Sequence, residues 1–174
     1  MTEQERIKSL LDTYHLSPKK SFGQNFLIND GILDRIVKGR QVENYDCVIE
    51  IGPGLGSLTS RLQPLCKKLV CVDADRDRVR VLKDLFKDKG NTTIINSDFL
   101  RFDPDSCSGT ETRLRRGNLP YNITSDLLKY RLGKGFSAAG IMVQKEVSDK
   151  LLYEPNKKTD TPLGAYLKRT CDVS

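Results

Sequence analysis

One short segment narrows the fold more than any other. Residues 47–51 (Cys-Val-Ile-Glu-Ile) form an apolar run of strand length, and Gly52-Pro53-Gly54-Leu55-Gly56 follow directly, ahead of leucines at helical spacing. Strand, glycine turn and helix in that order open a βαβ unit. Glycines at such a turn permit positive φ and let the backbone approach a ligand closely in the crevice beyond the strand's carboxyl end. The spacing is G-x-G-x-G and not the G-x-G-x-x-G of dinucleotide binders, so a pyrophosphate is not the indicated guest. Asp73 closes the next apolar run, 21 residues after Gly52. A carboxylate at that point can accept both hydroxyls of an adenosine ribose. A tight turn and a solvated acid would explain either feature alone; loop, context and acid together favour a nucleoside cofactor.

The rest of the chain keeps the alternation. Ile7, Leu10, Leu11 and Tyr14 predict an amphipathic helix over residues 3–14. Asp30 is the expected cap of a short helix with Ile32, Leu33, Ile36 and Val37, stopped by Gly39. After the glycine loop a helix carries Leu58, Leu62 and Leu65. A strand at 69–73 leads to a helix with Val79, Leu82, Leu85 and Phe86, ended by Gly90. A strand at 93–96, a polar loop at 103–112 and a helix opened by Thr124, with Leu127, Leu128 and Leu132, come next. A strand at 140–144, a helix to Pro155 and a last helix with Thr161 as cap and Pro162 in its first turn complete the pattern. The expected class is α/β: a mostly parallel sheet with helices on both faces.

Composition excludes several functions. The chain has 174 residues, 29 Lys+Arg against 23 Asp+Glu, and a net charge of +6, which favours a polyanionic partner. No apolar run approaches a membrane span, and Met1 to Leu11 contains no signal-peptide core. Cys47, Cys66, Cys71, Cys107 and Cys171 include no CxxC pair, and His15 is the only histidine. A disulfide framework and a structural zinc site are therefore not expected. The reading is a cytoplasmic protein with no metal and no membrane association; the sequence leaves the oligomeric state open, with a monomer as the default.

Two further places carry chemistry. Asp98 and Phe99 follow the third strand, where a carboxylate can accept from the exocyclic amine of an adenine and a ring can pack beside it; a loop cap and a core phenylalanine are the plainer alternative. Asn118-Leu119-Pro120-Tyr121 lies between the polar loop and the helix opened by Thr124. The amino group of a nucleobase is a poor nucleophile, because its lone pair is delocalised into the ring. The side-chain oxygen of Asn118 and the carbonyl of Leu119 are suited to hold both amino hydrogens and stabilise developing positive charge. Pro120 fixes the turn, and Tyr121 offers a face on which an extruded base can stack. A plain Asn-Pro turn needs the same residues, and the glycine loop upstream tips the balance towards chemistry.

Six segments in order then make the sequence resemble the KsgA-type ribosomal RNA adenine dimethyltransferases: Lys19-Lys20-Ser21-Phe22-Gly23-Gln24-Asn25-Phe26-Leu27, Glu50 to Gly56, Asp73-Ala74-Asp75, Ser97-Asp98-Phe99-Leu100, Gly117-Asn118-Leu119-Pro120-Tyr121-Asn122 and Met142-Val143-Gln144-Lys145-Glu146-Val147. The resemblance implies a Rossmann-like class I methyltransferase fold that uses S-adenosyl-L-methionine. It implies that Asn25 and Leu27 contact the cofactor, that Gly52 and Gly54 line its methionine side, that Asp73 binds the ribose and Asp98 the adenine amine. Asn118, with Leu119, Pro120 and Tyr121, would form the transfer centre. The implied reaction is dimethylation of N6 on two adjacent adenosines in the 3′-terminal hairpin of small-subunit (16S) ribosomal RNA, a ribosome-maturation step. Leu119 and Phe22-Gly23-Gln24 favour that target over the large-subunit RNA of the macrolide-resistance sister group.

Three expectations depart from, or divide, that pattern. Asp73 is a shorter acid where glutamate is usual. Thr112-Arg113-Leu114-Arg115-Arg116 stands where the family has an apolar central strand, and burying three arginines is costly, so a short and poorly formed strand is expected. The chain divides into 1–29, an N-terminal helix and a basic, aromatic segment gating the cofactor, and 30–174, the methyltransferase domain without its last strands and its helical C-terminal domain. Strand 140–144 would then be an apolar sheet edge. Among the paired basic residues, Lys19 and Lys20, with Phe22, are the expected RNA contacts. A non-catalytic RNA- or ribosome-binding fragment is the alternative from another class.

Overall fold

The computed structural model describes residues 1–17, 29–38, 42–98, 100–103, 106, 113–118 and 138–142. Five strands, β1 (Cys47–Ile51), β2 (Leu69–Asp73), β3 (Thr92–Asn96), β4 (Arg113–Asn118) and β5 (Ala138–Met142), form one sheet in the order β3-β2-β1-β4-β5. Every neighbouring pair is parallel. The chain steps outward from β1 to β2 to β3, then returns to lay β4 against the other side of β1. That reversal opens a crevice above the carboxyl ends of β1 and β4, where open α/β sheets bind their ligands. The α/β class and the Rossmann-like sheet are as expected from the sequence.

Strand alternation sorts the core onto two faces. Cys47, Ile49 and Ile51 of β1 join Val70 and Val72 of β2 and Phe102 in one cluster. Val48, Leu69 and Cys71 point the other way, against Leu33, Val42, Leu58, Leu62 and Cys66. Helices α2 (Asp30–Lys38) and α3 (Thr59–Leu62) cover this second face, and α4 (Arg76–Leu85) packs on β2 and β3. The helices expected from Thr124 onward lie outside the described residues. No helix among the described residues is long and apolar enough to cross a membrane.

Local chemistry explains the helix ends. Helix α1 (Glu3–Thr13) opens with a capping box: the Glu5 N–H donates to Thr2 Oγ1 and the Thr2 N–H donates to Glu5 Oε2 at 2.7 Å. It closes at His15, which takes the left-handed position (φ 53°) usually given to glycine, while the Leu16 N–H donates to the Leu11 carbonyl at 2.8 Å. Helix α2 is capped by Asn29, not Asp30: the Ile32 N–H donates to Asn29 Oδ1 at 3.0 Å, leaving Asp30 to pair with Arg61. Helix α3 is one turn, shorter than expected, because Pro64 has no N–H to extend it. Leu65, expected on its apolar face, is exposed. In α4, Val79, Val81 and Leu82 are buried, as is the capping Phe86, whereas Leu85, the last helical residue, is 39% exposed and stands beyond the packed stripe.

The arginine-rich segment corrects the sequence reading most. It forms a six-residue strand inside the sheet, paired with β1 from Cys47↔Arg113 to Ile51↔Gly117 and with β5 from Leu114↔Ala138 to Asn118↔Met142. Strand pairing is a main-chain property, and the expectation weighed only the cost of desolvating side chains. Strand β3 begins one residue earlier than expected. β5 sits two residues earlier than expected and ends the strand order, with β4 as its neighbour among the described residues.

Burial separates two leucines of α4. Leu82→Ala is expected to lose about 2–5 kcal/mol in urea unfolding and Leu85→Ala less than about 1 kcal/mol. Equal losses would contradict the packing described.

Candidate active site

The glycine loop leaves β1 at Ile51 and takes positive φ at every second residue: 63° at Gly52, 62° at Gly54 and 83° at Gly56. L-residues with side chains adopt this conformation rarely. The Gly52 N–H still donates to the Val72 carbonyl at 3.0 Å, so the loop starts as a continuation of the sheet. Gly56 has a second reason to be glycine. A Cβ there would lie 3.2 Å from both Leu82 Cδ2 and Phe86 Cε2, so this position brings the loop against α4.

Beneath the loop lies Glu50, 2% exposed. It accepts a hydrogen bond from Thr59 Oγ1 at 2.7 Å and one from Cys71 Sγ at 3.6 Å. These contacts join β1, the start of α3 and β2 around one carboxyl group. Burial raises its pKa to about 7, the bonds from Thr59 and Cys71 pull against that rise, and the charge of Asp73 adds to it. Cys47, Cys66 and Cys71 are buried thiols, and burial, with the Glu50 charge, pushes the Cys71 thiol up.

Asp73 ends β2 and is also buried. Its Oδ1 accepts the Asp75 N–H at 2.8 Å, and Arg78 lies 3.5 Å from Oδ2. Burial raises its pKa, against the pull of the Asp75 N–H, the Arg78 charge and the Gly54 N–H. Asp75 caps α4, accepting the Asp77 N–H at 2.9 Å. At the end of β3, Asn96 Nδ2 donates to the carbonyls of Asp73 and Ala74, binding the two strand ends together. Asp98 is exposed and its Oδ1 accepts the Leu100 N–H at 2.9 Å, so it does shape its own turn, the plainer of the two roles read from the sequence.

On β4, Asn118 is one residue past the Ile51↔Gly117 pair, level with Gly52 across the strand reversal. The carboxyl edge therefore carries Gly52 and Gly54, Asp73, Asp98 and Asn118 along four consecutive strands of the sheet. Lys19, Lys20, Phe22, Asn25, Leu27, Phe99, Leu119, Pro120 and Tyr121 lie outside the described residues. Sequence reasoning assigned no role to Glu50, Thr59 or Arg78. Glu50 was visible as an acid inside an otherwise apolar strand, a signal that calls for a buried partner.

The family model described as Ribosomal RNA adenine dimethylase matches residues 15–174. The chain belongs to the ribosomal RNA adenine dimethylase family. Ribosomal RNA small subunit methyltransferase A of Clostridioides difficile (strain 630) is 34% identical, over 99% of this chain and 62% of its own length. The protein of the same name from Staphylococcus carnosus (strain TM300) is 38% identical, over 88% of this chain and 54% of its own. The chain thus spans about three-fifths of the length of such curated relatives. Among solved structures, a dimethyladenosine transferase from Plasmodium falciparum superposes with a TM-score of 0.66 at 29% identity, over 80% of this chain and 50% of that one. The 23S rRNA methyltransferase ErmE gives 0.64 at 26% identity, over 72% and 50%. The dimethylase fold of this family is therefore the fold of this chain.

The buried acid makes a pH prediction. Unfolded, Glu50 titrates near its ordinary 4.5; folded, it holds its proton to about 7. Between these values the native state binds more protons than the unfolded one, so stability falls as pH rises. Relative to Glu50→Gln, the wild type is expected to lose about 2–3 kcal/mol between pH 4.5 and 7 and to level off above. Urea unfolding of both proteins across that range measures it, and a pH-independent difference would contradict the burial of a protonated acid.

Proposed function

We propose that this chain forms the catalytic part of an S-adenosyl-L-methionine-dependent enzyme that methylates N6 of two adjacent adenosines in the 3′-terminal hairpin of small-subunit (16S) ribosomal RNA. Ribosome maturation in the cytoplasm is the setting, and a small-subunit precursor is the partner. The observation that carries this reading is the gathering of Gly52, Asp73, Asp98 and Asn118 on one carboxyl edge at the strand reversal, in a chain of the dimethylase family.

The residues present fit an adenosyl cofactor. A buried carboxylate, Asp73, ends the strand beside a loop with three positive-φ glycines, which suits a ribose beside a polar tail. The cofactor supplies a methyl group already activated on a sulfonium, so the chain has to bind, orient and exclude water. Gly52 and Gly54 admit the methionine part, Asp73 takes the ribose hydroxyls and Asp98 the adenine amine. Asn25 and Leu27 complete the cofactor contacts from segment 1–29, and residues 30–174 form the methyltransferase domain. Asn118 and the Leu119 carbonyl hold the target amino group, Pro120 sets their turn and Tyr121 stacks the base. Lys19, Lys20 and Phe22 meet the RNA. The small-subunit names of the sequence relatives, with Leu119 and Phe22-Gly23-Gln24, support 16S over 23S RNA. Because the chain spans about three-fifths of those relatives, a non-catalytic RNA-binding module is the second reading.

Calorimetric titration should show saturable binding of S-adenosylmethionine, none of NAD, and loss of binding in Asp98→Ala. Methyl incorporation into unmethylated small subunits should then fall about a hundredfold or more in Asn118→Ala. Cofactor binding without any methyl transfer would favour the non-catalytic module. In Lys19→Ala/Lys20→Ala, RNA binding should weaken and its log–log salt slope shrink by about 2; an unchanged slope would remove these lysines from the interface.

A further inference from the structure

Helix α1 precedes the stretch that the family model matches, which begins at residue 15, yet it grips the glycine loop from behind. Leu55, between the second and third glycines, is held twice. Its side chain is 1% exposed and packs with Ile7 of α1 and Val81 of α4. Its carbonyl accepts a hydrogen bond from an Arg6 guanidinium nitrogen at 3.0 Å. The same nitrogen reaches Ser57 Oγ at 3.4 Å.

Arg6 is itself oriented. Glu3, buried at 8% exposure, receives its Nε at 2.9 Å and the same terminal nitrogen at 2.6 Å on one oxygen. Arg61 lies 3.6 Å from the other oxygen, donates to the Ser57 carbonyl at 3.0 Å, and pairs with Asp34 and Asp30 of α2. The two arginines thus fasten α1 and α2 to residues 55–57, immediately behind the loop's binding side. A loop built on three glycines has few side-chain restraints of its own, so its bound geometry has to be imposed from outside.

We propose that Arg6, oriented by Glu3, is a positioning residue: through the Leu55 carbonyl it sets the glycine loop in the shape that receives the methionine part of the cofactor. This rests on the cofactor reading above for its ligand, and on the Arg6–Leu55 contact for its mechanism.

The test uses the full chain. Arg6→Met keeps the aliphatic stem and removes the guanidinium. Tyr14→Phe loosens the far end of α1, where the Tyr14 hydroxyl bonds Asp84 of α4, and leaves the loop contact intact. Arg6→Met is expected to raise the S-adenosylmethionine Kd about tenfold, the effect of one lost charge-assisted bond, and Tyr14→Phe to leave it within about twofold. Hydrogen exchange of the unliganded protein should show lost amide protection at residues 52–57 in Arg6→Met alone, with β2 unchanged.

If the wild type binds the cofactor, Asp73→Ala weakens binding and Arg6→Met does not, the positioning role is overturned. If the wild type binds no S-adenosylmethionine, the cofactor reading fails separately and exchange decides the rest. Protection lost only at 52–57 upholds the strap, and protection unchanged, or lost throughout the chain, overturns it.

Discussion

A carboxyl group inside the sheet organises everything above it. Glu50 lies in the middle of an apolar strand, where an ionised acid without partners would cost several kcal/mol. It remains because Thr59 and Cys71 bring donors from the two neighbouring elements and because burial favours its neutral form. The hydrogen bond from Thr59 closes the chain between β1 and α3 across nine residues, and the three left-handed glycines lie inside that closure. Breaking it would loosen the loop at its root, leaving the Gly52 N–H on Val72, Gly56 against α4, and Leu55 on Arg6, Ile7 and Val81 as its remaining anchors.

The parallel sheet was legible from β1 and β2, short apolar runs that end at glycine or an acid, and the alternation with helices leaves few other arrangements. The loop and Asp73 were legible for the same reason, since chemistry at the carboxyl ends of strands needs few residue types. What could not be seen was cooperation at a distance. Asn29 displaces Asp30 as a helix cap because Arg61, far along the chain, claims Asp30. Pro64 shortens α3, although Leu62 and Leu65 suggest a longer helix. The arginines of β4 argued for a short and poorly formed strand, and register with β1 and β5 gives one of six residues. At Asp30 and in β4 local propensity met a tertiary partner and yielded to it, whereas Pro64 is a local cue that the leucine spacing outweighed.

The residues of the candidate site fall into two physical groups, and this explains why one stands out in the sequence and the other does not. Groups that would meet a ligand sit at strand ends and in the loop, where sequence position alone announces them. Groups that hold those in place are buried and paired: Glu50 with Thr59, Asp73 with Arg78 and the Asp75 N–H, Glu3 with Arg6. Their partners come from other elements or from the backbone, and only folding brings them together. Asp73 belongs to both groups. Its carboxylate already accepts from Asp75 and faces Arg78, so a ribose would have to share an acid that the structure also uses to fix the turn into α4. A shorter acid suits that double duty. It keeps the carboxylate close to the backbone donors of its own loop, and any ribose contact is then made by a group whose position is set before the ligand arrives.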